Sequence, residues 1–322
     1  MRFDMRAPQF GATTSELYRT ALDMAAWGEC RGAVLVVLSE HHCQDDGYLP
    51  SPLVLATALA SRTTTLPILT AAMILPLYDP IRLAEDMVVL DIISGGRVSY
   101  VVALGYVPRE FEHYGADFRR RGRLVEEQLQ LLLRAKTGEP FEHEGRRIHV
   151  TPAPVTPGGP SVAWGGGSSA AAERAGRLGL DFFAQGGDPG LEAVYARAAR
   201  DHGHAPGACM VPATDMATTV FVTHDLDEAW HEVGPHLLHD VTSYAALNEG
   251  RTNIVSLSRA TTIAELRAEN RSHRIVTVDE AVEMIRSGHP LPLQPLVGGL
   301  PPEIAWRYLR IVGEEVMARL VD

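Results

Sequence analysis

Lysine is almost missing from this chain: among 322 residues, Lys136 is the only one. That excludes a phosphate loop built on Gly-Lys-Ser/Thr. It also speaks against Schiff-base chemistry, because Lys136 falls near the end of a charged amphipathic helix and not in a pocket. Anion recognition must therefore fall to arginine, hydroxyls or backbone N–H groups. Cysteine is scarce too. Cys30, Cys43 and Cys209 are odd in number and scattered, which implies free thiols in a reducing cytoplasm and not a disulfide framework. No window approaches the roughly 18 uninterrupted apolar residues of a membrane span. The opening MRFDMRAPQF has no apolar core behind its charges, so no signal peptide is expected. Positive charge is in deficit: Lys and Arg total 29 against 40 Asp and Glu, a net charge of -11. Nucleic acids and anionic membranes want a basic face, so neither is expected as the main partner.

What is present is globular: 46% hydrophobic and 21% charged residues. The chain alternates between strand and helix signals. Strands are expected at Phe3 to Ala7, Ala33 to Leu38, Leu66 to Leu75, Arg97 to Leu104, Ser161 to Trp164, Leu180 to Ala184, Thr218 to Thr223 and Leu291 to Val297. Helices lie between them, with Asp79-Pro80 a good start signal and Thr277 with Glu280 a capping box. Residues 140 to 150 alternate around a glycine as a small hairpin. The connector TPAPVTPGGP reads as a loop, and Glu303 to Leu320 as a closing helix. About eight strands imply one α/β domain over residues 1–322, a single (β/α)8 TIM barrel with insertions. Residues 245–275 are the hardest to read and are expected as an insertion or mobile loop near the barrel mouth.

Chemistry in such a barrel sits at the C-terminal ends of the strands, and three features fall there. The run VVLSEHHCQDDGYLP ends an apolar strand in Glu40, His41 and His42. A metal site, a structural pair and a proton-transfer site are all open for the two histidines. Adjacent residues on a strand point to opposite sides, which disfavours a shared metal. A neutral imidazole can hold, take or give a proton near neutral pH, and Glu40 could orient it. Leu104-Gly105-Tyr106 could let a flat ring lie against a strand end, with Tyr106 as wall or hydroxyl donor. Gly165-Gly166-Gly167 followed by Ser168 and Ser169 opens a helix. It can offer an anion its N–H groups and hydroxyls, or be an ordinary turn with a serine cap. Thr70-Ala71-Ala72 puts small residues on a strand, which leaves room for a ring or simply packs.

The stretch from PLVLATALASRTTTLPILTAAMILP to ISGGRVSYVVALGY, with the preceding Glu-His-His, resembles the bacterial luciferase-like flavin monooxygenases. So do REFEHYGADFRRRGRLVEEQLQLLL and GGGSSAAAERAGRLGLDFF. The resemblance implies a (β/α)8 barrel, usually dimeric through helices on one flank, with a reduced flavin or deazaflavin at the strand C-termini. It implies that His41 is the catalytic histidine, which helps form or protect the oxygenated flavin. It places a non-prolyl cis peptide at Ala71-Ala72 and a phosphate-binding hydroxyl at Ser168. Two positions depart from the pattern. Leu104 stands where luciferases have a phosphate-pairing arginine, and Ala171 where they have a threonine.

The resulting expectation is a cytoplasmic, homodimeric two-component monooxygenase. Reduced FMN would come from a separate NAD(P)H:flavin reductase and act with oxygen on a small organic substrate. Glu40, His41 and His42 would be catalytic. Ala71, Ala72, Leu104, Gly105, Tyr106, Gly166, Gly167, Ser168 and Ser169 would bind the cofactor, and no metal would be needed. Hydride transfer with coenzyme F420 is the alternative. A flavin-binding homologue without turnover, or a metal-dependent hydrolase, is the reading from a different class.

Overall fold

The computed structural model describes residues 1–252 and 254–320. Of the expected mouth segment, Asn253 lies outside the described residues, as do positions 321 and 322 at the end of the expected domain. The chain folds into two compact units. One comprises Leu38–Cys43 and Pro50–Pro212; the other comprises Met1–Val37, Gln44–Leu49 and Ala213–Asp322.

The first of these carries the longer sheet. Strand β1 (Val36–Leu38), of which Leu38 belongs to this unit, lies at the edge beside β2 (Ile68–Ile74). Then come β3 (Val98–Ala103), β6 (Val162–Gly166), β7 (Phe182–Ala184) and β8 (Cys209–Met210), in that order. The ladders from β2 through to β8 are parallel. Parallel pairing requires a crossover between successive strands, and helices supply it. They are α3 (Pro80–Ser94) after β2, α6 (Ser169–Arg177) after β6 and α7 (Gly190–Asp201) after β7. Ahead of β2, α2 (Pro52–Arg62) packs on α3, and Leu55, Leu59, Leu83 and Met87 of the two helices are buried. The expected hairpin forms as β4 (Phe141–His143) and β5 (Arg146–Ile148).

The LDIISGGR turn closes α3 for packing reasons. The Gly95 φ of 65° is the left-handed cap that glycine supplies without strain. Arg97 donates to the carbonyls of Ala60, Thr63 and Leu66 and to the Thr63 hydroxyl. The fully buried Asp91 accepts from the Val155 and Thr156 amides and the Thr156 hydroxyl. The motif thus ties three loops together at the N-terminal end of β3.

In the other unit, α1 (Thr14–Glu29) starts on the Thr13–Glu16 capping box. Strands β9 (Thr219–Thr223) and β10 (His273–Thr277) pair in parallel. Around them lie α8 (Leu226–Leu247), α9 (Ile263–Glu269), α10 (Val278–Arg286) and α11 (Pro302–Arg310). Val220, Val222, Val276, Ala281 and Val312 form part of the core here. The expected Thr277–Glu280 capping box is present. Arg2, Asp4, Arg6 and Asp240 form a buried ionic cluster, joined by His273 through a 3.2 Å contact to Asp240.

Several sequence expectations change. Among the described residues the strands pair as a sheet of six, a sheet of two and the β4–β5 hairpin, not as a single eight-stranded ladder. Phe3 to Ala7 forms no strand; an isolated bridge from Arg2 to Val37 lies just before it. Leu291 to Val297 is not a strand: Pro292 and Pro295 carry no N–H for a ladder, although the Pro292 and Leu293 carbonyls still accept from Val220 and Arg2. Conversely β10 emerges inside the segment left unread, and β8 and a short helix, α4 (Pro108–His113), were not anticipated. No helix among the described residues is long and apolar enough to cross a membrane.

Candidate functional site

The site is built where β1, β2, β3 and β6 end. Strand β1 stops at Leu38, and Glu40, His41 and His42 follow, all buried. The two imidazoles turn to different partners. His41 Nδ1 lies 2.8 Å from Oε1 of Glu110, and His42 Nε2 lies 2.7 Å from Oε1 of Glu40. The two rings are thus anchored on separate carboxylates. Among the described residues no cluster of three or more His, Cys, Asp or Glu is placed to hold a metal.

Glu110 is the residue that sequence reasoning missed. It comes from α4, its side chain is fully buried, and its Oε1 also accepts the His42 backbone N–H at 2.9 Å. Pro108 at the head of α4 was a legible start signal. The placement of Glu110 beneath the histidines, 69 residues away in sequence from His41, was not. Each imidazole also meets a phenol on its other nitrogen. The Tyr106 hydroxyl is 3.2 Å from His41 Nε2, and the Tyr114 hydroxyl is 3.3 Å from His42 Nδ1. Both ring pairs are edge-on, with centroids 5.6 and 4.9 Å apart. The result is two carboxylate–imidazole–phenol chains side by side. Burial, then the neighbouring Glu40, Cys43 and Glu110, push the Tyr114 hydroxyl up. Burial and the charge and hydrogen bond of Glu40 push Tyr78 up further.

Glu40 also fixes the next strand. Its Oε2 accepts the Ile74 N–H at 3.1 Å, at the end of β2. Just before, the Ala71–Ala72 peptide is cis and the ladder with β3 skips from Ala71 to Met73, so Ala72 bulges. Past the end of β3, Gly105 takes a φ of 74°; a Cβ there would lie 2.6 Å from Ile74 Cγ2. Glycine is thus required at this position by both backbone and packing. Tyr106, next along, reaches His41. Register places the glycine run beside this segment, with Ala103 opposite Gly165.

That run has mixed reasons. A Cβ on Gly165 would lie 2.8 Å from Val101 Cγ1, and one on Gly166 2.5 Å from the Ala171 Cβ. Packing therefore accounts for both. A Cβ on Gly167 would meet nothing nearer than 3.8 Å. Gly167, Ser168 and Ser169 are exposed, and the Ser168 hydroxyl caps α6 by accepting from the Ala171 N–H. Leu104 brings no charge, but Arg121, at the head of α5 (Arg121–Ala135), does. Its Nε donates to the Gly105 carbonyl at 3.3 Å and its guanidinium stacks 3.6 Å above the Phe118 ring. Glu126 of the same helix pairs with Arg174 and Arg177 of α6. This holds the head of α5 beside α6.

Residues 1–286 match the model of the luciferase-like monooxygenase family. The chain belongs to that family. A curated relative, the alkanal monooxygenase alpha chain of Photorhabdus luminescens, is 30% identical over 178 residues, 54% of this chain and 49% of the relative. The chain spans about half the length of the curated relatives it matches. Among solved structures, monooxygenase RslO1 from Streptomyces bottropensis aligns over 99% of this chain and 100% of its own, with a TM-score of 0.75 and 20% identity. The oxygenating constituent of 3,6-diketocamphane monooxygenase from Pseudomonas putida, in complex with FMN, gives a TM-score of 0.70 and 19% identity over 98% and 99% of the two chains. At these identities the two structures establish the shared fold.

The residues of this luciferase-like chain fit a flat ring with a phosphate tail. Ala71, Ala72 and Gly105 offer small surfaces along one sheet edge, and Gly167 leaves room before a helix start. Arg121 is a half-buried cation whose pKa is lowered by burial and which has no carboxylate partner among the described residues. Its guanidinium donates to the Gly105 and Phe118 carbonyls, and an anionic group beside it would add a charge partner.

Proposed function

We propose that this chain is the oxygenase of a two-component flavin-dependent monooxygenase. It would use reduced FMN from a separate NAD(P)H:flavin reductase to oxidise a small organic substrate, in a closed (β/α)8 barrel. The observation that carries the reading is the pair of carboxylate-anchored imidazoles at the C-terminal edge of the sheet, tied through Glu40 to Ile74, two residues past the Ala72 bulge. When bound, reduced FMN supplies the activation of molecular oxygen; the protein supplies position, exclusion of water and proton handling.

Each residue then has a task. Ala71, Ala72 and Gly105 would bear on the ring. Arg121, Ser168, Ser169 and the N–H groups around Gly167 would hold the phosphate, with Arg121 standing in for the charge that Leu104 lacks. Glu110 orients His41 and compensates it whenever its ring takes a second proton. Glu40 does the same for His42 and ties it to the end of β2. The 3,6-diketocamphane relative is itself described as an oxygenating constituent, which supports a separate reductase here. Val54 on α2 and Val89 and Ile93 on α3 are exposed apolar side chains; a homodimer would cover them.

Titrating the purified protein with reduced FMN and with reduced coenzyme F420, followed by fluorescence, tests the cofactor. FMN is expected to bind more tightly, and binding of coenzyme F420 alone would sink the assignment. His41→Ala is expected to cut the coupled oxidation while leaving FMN affinity within about threefold. Equal turnover in the variant would remove His41 from its role.

A further inference from the structure

We propose that Arg119, Arg120 and Arg123 capture the flavin phosphate from solution, setting how fast the flavin arrives and not how tightly it stays. The chain as a whole carries a net charge of -11. Its far field repels a phosphate, so a diffusing phosphate needs a local field of the opposite sign. The run DFRRRGR, residues 117–123, supplies one, with four arginines and a single carboxylate. That carboxylate is engaged within the turn: Asp117 Oδ1 accepts the backbone N–H groups of Arg119 and Arg120 at 2.9 and 3.4 Å. Glu126, further along α5, is held by Arg174 and Arg177. Glu127 comes only within 3.7 Å of Arg123, with the two side chains 69% and 79% exposed, and a pair so exposed contributes little. Arg119, Arg120 and Arg123 all face solvent.

This placement runs against what the helix itself favours. Helix α5 begins at Arg121 with Arg120 as its N-cap, and its first turn holds no acidic residue. The start of a helix is its positive end, where carboxylates stabilise and cations do not. As N-cap, Arg120 has no acceptor to offer the first N–H groups. Arg120 and Arg123 are moreover like charges three residues apart, a spacing that brings side chains together on a helix. A segment that breaks local rules without a gain in stability points to a role outside the fold. Position supplies that role. Arg121, in the same run, donates to the Gly105 carbonyl at 3.3 Å, past the end of β3. The Glu126 pairs hold the helix beside α6, which starts at the Ser168 cap. The basic run thus adjoins the strand-end loops to which the phosphate is assigned. Exposed guanidiniums act there through their field, which concentrates an anion locally and is screened by salt.

The capture rests on the flavin reading, and stopped-flow binding separates the two. Reduced FMN and reduced riboflavin are mixed with the protein in the absence of oxygen, and fluorescence gives the association and dissociation rates. At low ionic strength, Arg119→Gln/Arg120→Gln/Arg123→Gln should slow FMN association about tenfold and leave dissociation within about twofold. The difference should shrink below about twofold at 1 M salt, where the Debye length is about 3 Å. Riboflavin, which lacks the phosphate, should associate equally fast with both proteins. Arg119→Lys/Arg120→Lys/Arg123→Lys keeps the charge without the planar fork and should keep the parent's association rate. The melting temperature of the glutamine variant should be no lower than the parent's, since the charges removed oppose the helix end; a lower one would assign the arginines to the fold and overturn the capture. Equal FMN association in the glutamine variant and the parent would overturn it too, and would leave these arginines to an acidic partner protein. A loss confined to dissociation, or one shared by riboflavin, has the same consequence. A parent protein that binds neither flavin refutes the flavin reading and the capture together, whereas FMN binding at an unaltered on-rate refutes the capture alone.

Discussion

Glu110 offers the sharpest test of how the site is held. Its side chain is fully buried and its Oε1 accepts two donors, His41 Nδ1–H and the His42 backbone N–H. In Glu110→Ala both donors lose their acceptor in a place that water does not reach. Each buried unsatisfied donor costs about 1–3 kcal/mol, and the deleted carboxyl leaves a cavity besides. A total of about 3–5 kcal/mol follows, the range for removing one member of a buried pair. Glu110→Gln keeps the volume and one acceptor oxygen. Its amide oxygen can still accept from His42, and its NH2 group then faces His41 Nδ1. The ring must give up its Nδ1 proton and carry it on Nε2 instead. The stability loss should be about 1–2 kcal/mol, yet oxidation should fall as steeply as in Glu110→Ala, because the tautomer is wrong. Urea titration measures the first quantity. Exchange of the His42 amide with deuterium localises it: a loss of about 3 kcal/mol in local stability corresponds to roughly a hundredfold loss of protection. If Glu110→Ala unfolds within about 0.5 kcal/mol of the parent and the His42 amide keeps its protection, Glu110 does not anchor the histidines.

Other outcomes follow from single distances. Gly166→Ala puts a Cβ 2.5 Å from the Ala171 Cβ and should cost about 1–3 kcal/mol. Gly167→Ala has open space and should keep the melting temperature while weakening FMN binding, as calorimetry would show; unchanged affinity would remove Gly167 from the cofactor site. Arg121→Gln should weaken FMN binding at least tenfold but leave riboflavin, which lacks the phosphate, within about twofold; equal losses for both would mean that Arg121 does not hold a phosphate. Asp240 sets an acid limit. Burial alone would raise its pKa, but the His273 hydrogen bond and the Arg2 and Arg6 charges outweigh burial and hold it well below the usual carboxylate range. A depressed carboxylate contributes stability above its unfolded pKa of about 3.9, and that contribution is lost as pH falls toward the folded value. Stability should thus decline below about pH 4, and urea midpoints from pH 7 down to pH 3 should decline less steeply in Asp240→Asn; parallel declines would refute the assignment.

Most helices were legible because their ends are written in short-range chemistry. Asp79-Pro80 and Thr277 with Glu280 each cap a helix within four residues of chain. Leu291 to Val297 failed because apolar content suggested a strand while its prolines had already removed the donors. β10 was unread because nothing in residues 248 to 275 announces that His273 to Thr277 will pair with β9, some fifty residues upstream. For the site, the sequence marked His41, Gly105-Tyr106 and the glycine run as ends of strands. It could not tell Gly165 and Gly166, which pack, from Gly167, which is open.

The sequence by itself determined the class of fold, the family and the strand-end loops proposed as the site, because these follow from periodicity, caps and motifs read along the chain. The tertiary structure decided which carboxylate serves which imidazole, that Tyr106 and Tyr114 each meet one of those rings, and that Arg121 lies against the Gly105 carbonyl. Those pairings join residues that only the ladder register and the crossover helices bring within hydrogen-bond reach, and no local spacing encodes them.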